Sequence, residues 1–301
     1  MAHQSVLTSE VVDGLALAPD ATVVDATLGA GGHARALAEQ LGALGTLIGI
    51  DADATALPGA AARLSGVGPQ VHLVHHNFAD LASVLSSLHI SAVDGIVADL
   101  GWRSEQFSEG GRGFSFTHDE PLLMTYGDPA DYPFTARDVV NEWAAEDLAN
   151  VIYAYGEERG ARRVARAICA ARAVAPIETS GQLADIVRQA LPPRGGQRID
   201  PATRTFQALR ILVNDELSVL ESFLAAASGA LVGGGRLAVI TFHSLEDRIV
   251  KHYFRELAAS GSHALITKRP VIASADELAA NPRARSAKLR IISRVHAASL
   301  P

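Results

Sequence analysis

Three aspartates stand at the ends of apolar stretches in the first hundred residues: Asp25, Asp51 and Asp99. A glycine-rich turn follows the first of them, and residues 23–33 read V-V-D-A-T-L-G-A-G-G-H. Glycines let a backbone take positive φ angles and approach a ligand closely, and a helix that starts there aims free N–H groups at it. Asp51 lies 22 residues past Gly29, where an acid can reach a ribose. The spacing therefore predicts a nucleoside-cofactor site.

The turn alone does not decide which cofactor binds. The glycines of this turn are Gly29, Gly31 and Gly32, and residues 29–34 also satisfy the relaxed dinucleotide fingerprint G-x-G-x-x-G/A. A dinucleotide would bring a pyrophosphate, which the carboxylate of Asp25 would repel. S-adenosylmethionine (SAM) instead brings an ammonium and a sulfonium. Asp25 therefore favours SAM over NAD, while a glycine turn with only a packing role stays open as a third interpretation.

Alternating strand and helix patterns must position these residues. Apolar stretches at 46–50, 71–74, 93–98 and 236–241 predict strands that follow the one ending at Asp25, and 289–295 predicts an antiparallel edge strand. We expect the α/β fold class, with a Rossmann-like, mostly parallel, doubly wound sheet similar to that of class I SAM methyltransferases. Ligands bind outside the carboxyl ends of such strands. We therefore expect Asp25, Asp51, Phe78 and Asp99 to share one crevice, where Phe78 covers an adenine ring or packs in the core.

A second part of the chain has helical patterns and no strand pattern. Helices are predicted at 136–155, 160–175 and 180–190, and a long helix at 201–231 returns the chain to the sheet. The polar, glycine-rich stretch 103–131 contains several aromatic residues and predicts a functional loop. The predicted domains are a discontinuous sheet domain of residues 1–105 and 205–301, and residues 106–204, which comprise this loop and an inserted helical subdomain.

Composition limits the function classes. The 301 residues are 48% hydrophobic and carry a net charge of −7, and the single cysteine excludes an internal disulfide. Because no apolar run is long enough to span a bilayer and no leader pattern precedes the fold, we expect a cytoplasmic protein without membrane contact. Adjacent His75 and His76 point to opposite faces of an extended segment, so no metal site is predicted.

The charge is unevenly distributed. Residues 151–210 contain ten arginines against five acids, and residues 281–301 contain five basic residues and no acid. Basic clusters on an acidic protein are typical of nucleic-acid contacts, although solvated helix faces give the same pattern.

Seven stretches, spread over almost the whole chain, resemble one family. They are D-A-T-L-G-A-G-G-H at 25–33, D-L-G at 99–101, R-G-F-S-F at 112–116, Y-G-E-E-R at 155–159, P-A-T-R-T-F-Q-A-L-R-I at 201–211, F-H-S-L-E-D-R-I-V-K at 242–251 and N-P-R-A-R-S-A-K-L-R at 281–290. In these stretches the chain is similar to the bacterial MraW/RsmH-type 16S ribosomal RNA (cytosine-N(4))-methyltransferases.

This resemblance implies SAM as cofactor, a decoding-centre cytidine of 16S ribosomal RNA in a nearly mature small subunit as substrate, and RNA recognition by the helical insertion. The residues that it places against SAM are Gly31, Gly32, His33, Asp51, Phe78, Asp99 and Gln106.

The chain departs from the family pattern beside the expected active site. Trp102 and Arg103 stand where the family usually has valine and serine, and Leu123 and Thr125 replace an acid and an arginine. Asp99-Leu100-Gly101-Trp102 resembles the acid-x-x-aromatic pattern of amine methyltransferases. We expect Asp99 to accept a hydrogen bond from the cytosine amine and Trp102 to stack on a base drawn out of its helix, or else to be a buried or lid tryptophan.

Other predicted substrate contacts lie later in the chain. Phosphate-binding cations are predicted at Arg204, Arg210, Arg248 and Lys251, and His243 is expected to shape the site beside the fifth strand. Two further functions stay open at this point: a SAM- and RNA-binding ribosome-assembly factor with impaired transfer, and an NAD-dependent oxidoreductase. The sequence does not identify the target nucleotide. It leaves open whether the substrate is free RNA or an assembled subunit, and whether the protein is a monomer or a homodimer.

Overall fold

The computed structural model describes residues 5–101, 111–192 and 200–296. The chain forms two compact units, which we name the sheet unit (residues 1–103 and 217–301) and the helical unit (residues 104–216). The helical unit ends at Glu216, whereas the sequence predicted an inserted part that ends at residue 204. The unit is longer because the helix at 202–213 packs against its other helices.

Seven strands form the sheet of the sheet unit, in the order β3-β2-β1-β4-β5-β7-β6. The strands are β1 Thr22–Asp25, β2 Thr46–Asp51, β3 Gln70–His75, β4 Val93–Asp99, β5 Leu231–Thr241, β6 His263–Leu265 and β7 Lys288–Arg294. The first five are parallel, and β7 runs antiparallel to β5. The predicted Rossmann-like, mostly parallel sheet is confirmed. The sheet extends one strand beyond β7, since the three-residue β6 pairs with it.

Helices cover both faces of this sheet. They are α1 Thr8–Leu15, α2 Gly32–Ala38, α3 Ala56–Arg63, α4 Leu81–Ser87, α10 Glu216–Ala230, α11 Ser244–Ala259 and α12 Ala275–Ala280. Neighbouring residues of one strand alternate between the faces: Val23 joins the core under α1, α2 and α3, and Val24 joins the core under α4, α10 and α11. Both faces of the strands are therefore apolar, and polar side chains concentrate at the strand ends.

The described part of the helical unit contains five α-helices. They are α5 Ala136–Glu142, α6 Ala145–Gly156, α7 Ala161–Arg172, α8 Ser180–Ala190 and α9 Ala202–Val213. The predicted helix 136–155 was wrong in its continuity, because Trp143 and Ala144 are extended and separate α5 from α6. The ring of Trp143 packs edge-to-face against Phe134 at 5.3 Å, which fixes this break.

The predicted helix 201–231 is also interrupted. Asp215 has a φ of 47° and stands between α9 and α10. Asn214 stabilises the end of α9: its side-chain amide donates to the carbonyls of Met124 and Arg210 and accepts from the N–H of Tyr126. Asn214 thus bonds the last turn of α9 to another segment of the chain. The helix therefore stops there, although the apolar periodicity continues.

Residues 111–135 pack within the helical unit. Gly113 has a φ of 73°, and a Cβ there would lie 2.5 Å from the carbonyl oxygen of Pro121. Phe114 stacks on Tyr126, and Phe116 packs edge-to-face on Phe206. In the described part of the predicted functional loop, these aromatic rings therefore serve packing. Within the described ranges, no helix combines the length and the apolar character needed to cross a bilayer.

Candidate active site

The glycine turn lies at the carboxyl ends of β1, β2 and β4. The N–H of Leu28 donates to the carbonyl of Ile50, and the N–H of Gly29 donates to Asp51 Oδ2 at 2.7 Å. Gly29 and Gly31 have φ angles of 52° and 76°. These left-handed conformations favour glycine and start helix α2 directly behind the turn. The turn is thus held against β2 in a fixed geometry.

Asp25 carries an unpaired carboxylate oxygen at the base of this turn. The side chain is buried, and Oδ1 accepts a hydrogen bond from the N–H of Thr27 at 3.2 Å. Oδ2 is buried and has no hydrogen-bond partner among the described residues. Burial raises the pKa of Asp25 to about 6, although the charge of His33 and the Thr27 N–H both lower it. A buried carboxylate that lacks a partner is costly, and a cationic ligand group would remove that cost.

Asp51 fixes the turn from the second strand. Besides Gly29, it binds the N–H of Asp53, which donates to Oδ1 at 2.8 Å. Each carboxylate oxygen can accept more than one hydrogen bond, so Asp51 keeps capacity for ribose hydroxyls. Asp51 and Asp99 also contribute to the raised pKa of Asp25, which reflects the proximity of three acids. Negative charge at this edge of the sheet fits an ammonium and a sulfonium and disfavours a pyrophosphate.

Asp99 is positioned from three directions. Its N–H donates to the hydroxyl of Thr27 at 2.7 Å, and its Oδ1 accepts from the N–H of Gly101 at 2.9 Å. Oδ2 lies 3.7 Å from His33 Nδ1. His33 Nε2 is 2.8 Å from the carbonyl of Val6, and because a carbonyl only accepts, this nitrogen carries a proton. His33 therefore connects the start of the chain to Asp99.

Gly32 and Gly101 are glycines because neighbouring side chains leave no room for a Cβ. The sequence pattern alone could not distinguish this packing reason from contact with a ligand. A Cβ at Gly32 would lie 2.0 Å from Ser5 Oγ, and a Cβ at Gly101 would lie 2.6 Å from the ring of Phe242. Sequence reasoning missed Ser5, Phe242 and Thr27 as parts of the site. Thr27 alone had a local signal, since it stands two residues after the strand-end aspartate.

Phe78 lies three residues after the end of β3 and is half-buried. Its ring packs edge-to-face on Phe223, with centroids 5.1 Å apart and an interplanar angle of 75°. One side of the ring thus belongs to the core of the sheet unit. A role in covering adenine stays a prediction.

The stretch after β5 forms a helix cap. Glu246 is buried and its Oε2 accepts from the N–H groups of Phe242 and His243. In the same capping box, His243 Nδ1 lies 3.5 Å from the N–H of Glu246. His243 Nε2 is 3.0 Å from Glu246 Oε1, without hydrogen-bond geometry. The two residues thus start α11 beside the strand end, as a cap rather than a nucleophile and base.

Two of the seven family-like stretches meet at α11. Asp247 is 2.7 Å from Arg290 Nε and 3.2 Å from Lys288 Nζ. Burial alone would raise the pKa of Asp247, but the hydrogen bonds and charges of Arg290 and Lys288 hold it below its usual value. These ion pairs fasten β7 to α11. On the same helix, Arg248 is exposed and Lys251 is half-buried three residues later, on a shared face.

In the helical unit, the two predicted phosphate-binding arginines differ. Arg204 is exposed, and its guanidinium lies 3.4 Å from Glu158 Oε2. Arg210 is mostly buried and makes a bidentate ion pair with Glu216, at 2.7 and 2.8 Å. A phosphate would have to compete with Glu216 for Arg210. Trp102, Arg103 and Gln106 lie outside the described residues.

Known proteins resemble the chain over nearly its full length. The "Ribosomal RNA small subunit methyltransferase H" of Koribacter versatilis is 48% identical over 97% of this chain and 94% of that protein. The protein of the same name from Deinococcus deserti is 50% identical over 97% of this chain and 93% of its own. A SAM-dependent O-methyltransferase structure from Thermotoga maritima aligns with a TM-score of 0.45 at 10% identity, covering 98% of this chain and 68% of that one. The model of the MraW methylase family matches residues 1–295. The chain belongs to the MraW methylase family.

Proposed function

We propose that this protein transfers a methyl group from SAM to the exocyclic N4 of a cytidine in 16S ribosomal RNA, near the decoding centre of the small subunit. Family membership supports methyl transfer, and the names of relatives about half identical to this chain support small-subunit ribosomal RNA as the substrate. The cytosine amine and its location are implied by the resemblance of the seven stretches to the MraW/RsmH-type family. Such a substrate implies action in the cytoplasm.

The observation that carries the cofactor assignment is the orphaned Oδ2 of Asp25. In this proposal it receives the ammonium of SAM, while Asp51 receives the ribose hydroxyls and Phe78 lies against the adenine. The glycine turn then faces the cofactor with its backbone. The acids beside the turn would repel a pyrophosphate, so the same observation disfavours the NAD-dependent oxidoreductase.

When bound, SAM would supply a methyl group on a sulfonium. A nitrogen lone pair attacks that methyl carbon in line with the carbon–sulfur bond, and the sulfur leaves as a neutral thioether, so the step needs no metal. Positioning therefore carries most of the catalysis. The lone pair of a cytosine amine is delocalised into the ring. We assign Asp99 to accept a hydrogen bond from that amine, which favours the pyramidal and more nucleophilic geometry. The new carbon–nitrogen bond forms as the carbon–sulfur bond breaks, and the extra proton on nitrogen passes to water.

Substrate RNA is assigned to cationic and aromatic residues. Arg204, Arg248 and Lys251 contact phosphates, and Trp102 stacks on a base drawn out of its helix. His243 shapes the site beside β5. These roles predict that RNA binding, unlike SAM binding, depends steeply on salt.

The direct test is incubation with tritiated SAM and undermethylated small subunits, followed by digestion of the RNA and mass spectrometry of the nucleosides. N4-methylcytidine at one position is expected. Bound SAM and RNA without any methylated nucleoside would favour the assembly factor with impaired transfer. Thr125, one of the departures, is buried and donates to the carbonyl of Gly127, so the fold of the helical unit accommodates it.

Asp99→Asn should lower methyl transfer by at least about 100-fold, the size expected when a positioned acceptor is removed from the reacting group. The melting temperature should change little, because the fold does not depend on this charge. The matched control is Asp94→Asn, at the opposite end of β4, where the carboxylate accepts from the N–H of Thr22. Near wild-type turnover of Asp99→Asn would refute the assigned role.

A further inference from the structure

A groove of about 1170 Å³ opens within the helical unit. Helix α6, the start of α7, the end of α8 and the start of α9 enclose it. Five arginines and one acid are among the residues that line it: Arg159, Arg162, Arg163, Arg166 and Arg204, with Glu158. The groove is therefore strongly positive on a chain whose net charge is −7.

Most of these arginines have no acidic partner among the described residues. Arg204 lies near Glu158, and Arg166 Nε donates to the carbonyl of Arg162. Arg159, Arg162 and Arg163 are exposed and form no ion pair within the described ranges. Other arginines of the same unit are neutralised: Arg137 by Glu178, Arg188 by Asp185 and Asp200, and Arg210 by Glu216. Arg112 and Arg172 are partly buried and donate to backbone carbonyls. Among the described residues of this unit, exposed arginines without an ion pair are thus concentrated at the groove.

This arrangement opposes the stability of α7. Arg162 and Arg163 stand in its first turn, where the helix dipole disfavours positive charge. Arg162 and Arg166 are like charges four residues apart, which destabilises a helix. An anion in the groove removes both penalties, because it neutralises the arginines and interacts favourably with the helix N-terminus.

The groove also offers a stacking surface. Tyr153 is among its lining residues and is 65% exposed, although large aromatic side chains are usually buried. Exposed aromatic rings beside arginines are the combination that binds unpaired nucleic-acid strands, with bases on the rings and phosphates on the cations. Duplex RNA shows its backbone but keeps its bases stacked inside.

We propose that this groove binds an unpaired RNA strand, with Arg159, Arg162, Arg163 and Arg166 on its phosphates and a base stacked on Tyr153. This assignment rests on the proposed function, since it takes RNA as the substrate class. It places a strand-binding site inside the helical unit, formed by residues other than those of the glycine turn and Asp99.

The test compares two charge-matched double variants of the full chain, Arg162→Gln/Arg163→Gln in the groove and Arg137→Gln/Arg188→Gln at neutralised positions. The probe is a fluorescent single-stranded oligoribonucleotide, titrated at several salt concentrations. The groove variant should reduce the slope of log affinity against log salt by about 1.4, or ~0.7 for each phosphate that no longer meets an arginine. The control variant should keep the wild-type slope. Equal slopes for the two variants would overturn the proposal.

Stacking is tested separately. Tyr153→Ala should weaken single-strand binding by about 5- to 150-fold, equivalent to ~1–3 kcal/mol, while Tyr153→Phe retains it. Tighter binding of a duplex of the same sequence would overturn the assignment to unpaired RNA. Equally tight binding of polyglutamate would overturn it in favour of an acidic peptide.

The same variants are assayed for methyl transfer to small subunits. If the wild type transfers no methyl group but the binding results are as expected, the groove assignment stands and the proposed function fails. If transfer occurs and the groove and control variants bind RNA alike, the proposed function stands and the groove assignment fails.

Discussion

At the scale of residues, the buried carboxylate of Asp25 lowers the stability of the free protein and is proposed to bind the ammonium of SAM. The free protein buries a carboxylate whose Oδ2 has no partner among the described residues, and burial raises its pKa to about 6. A raised folded-state pKa of an acid means that the folded state holds its proton more tightly than the unfolded state. This group therefore lowers the free energy of unfolding as pH rises from about 4 to about 6.

Asp25→Asn should raise the stability of the SAM-free protein at pH 7.5 by up to about 3 kcal/mol, the equivalent of the raised pKa. The difference from wild type should shrink as pH falls and disappear below about pH 4, where Asp25 is protonated in the folded and the unfolded state alike. SAM affinity should fall sharply at pH 7.5, because the ammonium loses its counter-charge. Denaturant titrations at both pH values and calorimetric SAM titrations measure these effects. A variant that is less stable and binds SAM normally would contradict the role of Asp25.

The sequence predicted the positions of Asp25, Asp51 and Asp99 in the sheet, because each follows an apolar run and ends a strand. It could not predict that His33 joins Asp99 to Val6, since that contact depends on how the start of the chain folds over α2. It also could not show that Arg210 is neutralised by Glu216, because ion pairs formed around a helix break leave no periodic signal.

At the scale of elements, the sequence predicted strands better than helix boundaries. Buried parallel strands are short apolar runs, and β2 and β4 follow those runs closely. The helices were predicted as continuous where apolar periodicity continued. Breaks at Trp143 and Asp215 come from tertiary contacts, which periodicity does not contain.

Asn214→Ala should lower the free energy of unfolding by about 2 kcal/mol, because it removes three hydrogen bonds and leaves the N–H of Tyr126 without its partner. Asn150→Ala is the control, since Asn150 is exposed on α6. Thermal denaturation followed by circular dichroism measures both. Equal stability of the two variants would show that the end of α9 is not held by this side chain.

At the scale of the whole molecule, the proposed contacts with SAM at the glycine turn lie in one unit, and the proposed contacts of the groove with an unpaired RNA strand lie in the other. The acids of the glycine turn belong to the sheet unit, and the arginine groove belongs to the helical unit. The sequence indicated this division through the change from alternating elements to helices alone. It could not locate the groove, because the lining residues come from four helices.

Hydrogen exchange should report the two sites separately. Saturating SAM should slow exchange in residues 22–38 and 93–99, and the single-stranded RNA probe should slow exchange in residues 145–172, because a ligand stabilises the native contacts it binds. Mass spectrometry of peptides resolves these segments. Protection of 145–172 by SAM alone would contradict the groove assignment, and protection of the glycine turn by the RNA probe alone would contradict the assignment of that turn to SAM.

The first and last parts of the sheet unit also meet beside α2, the helix that follows the glycine turn. The N–H of Leu7 donates to Glu277 Oε1, Val6 accepts from His33, and Ser5 lies against Gly32. During synthesis, residues 5–33 emerge long before Glu277, whereas the contiguous helical unit is complete beforehand. The nascent chain can therefore finish its helical unit first, and the cofactor site closes only when translation has passed residue 277. The proposed cofactor site is thus completed only late in translation.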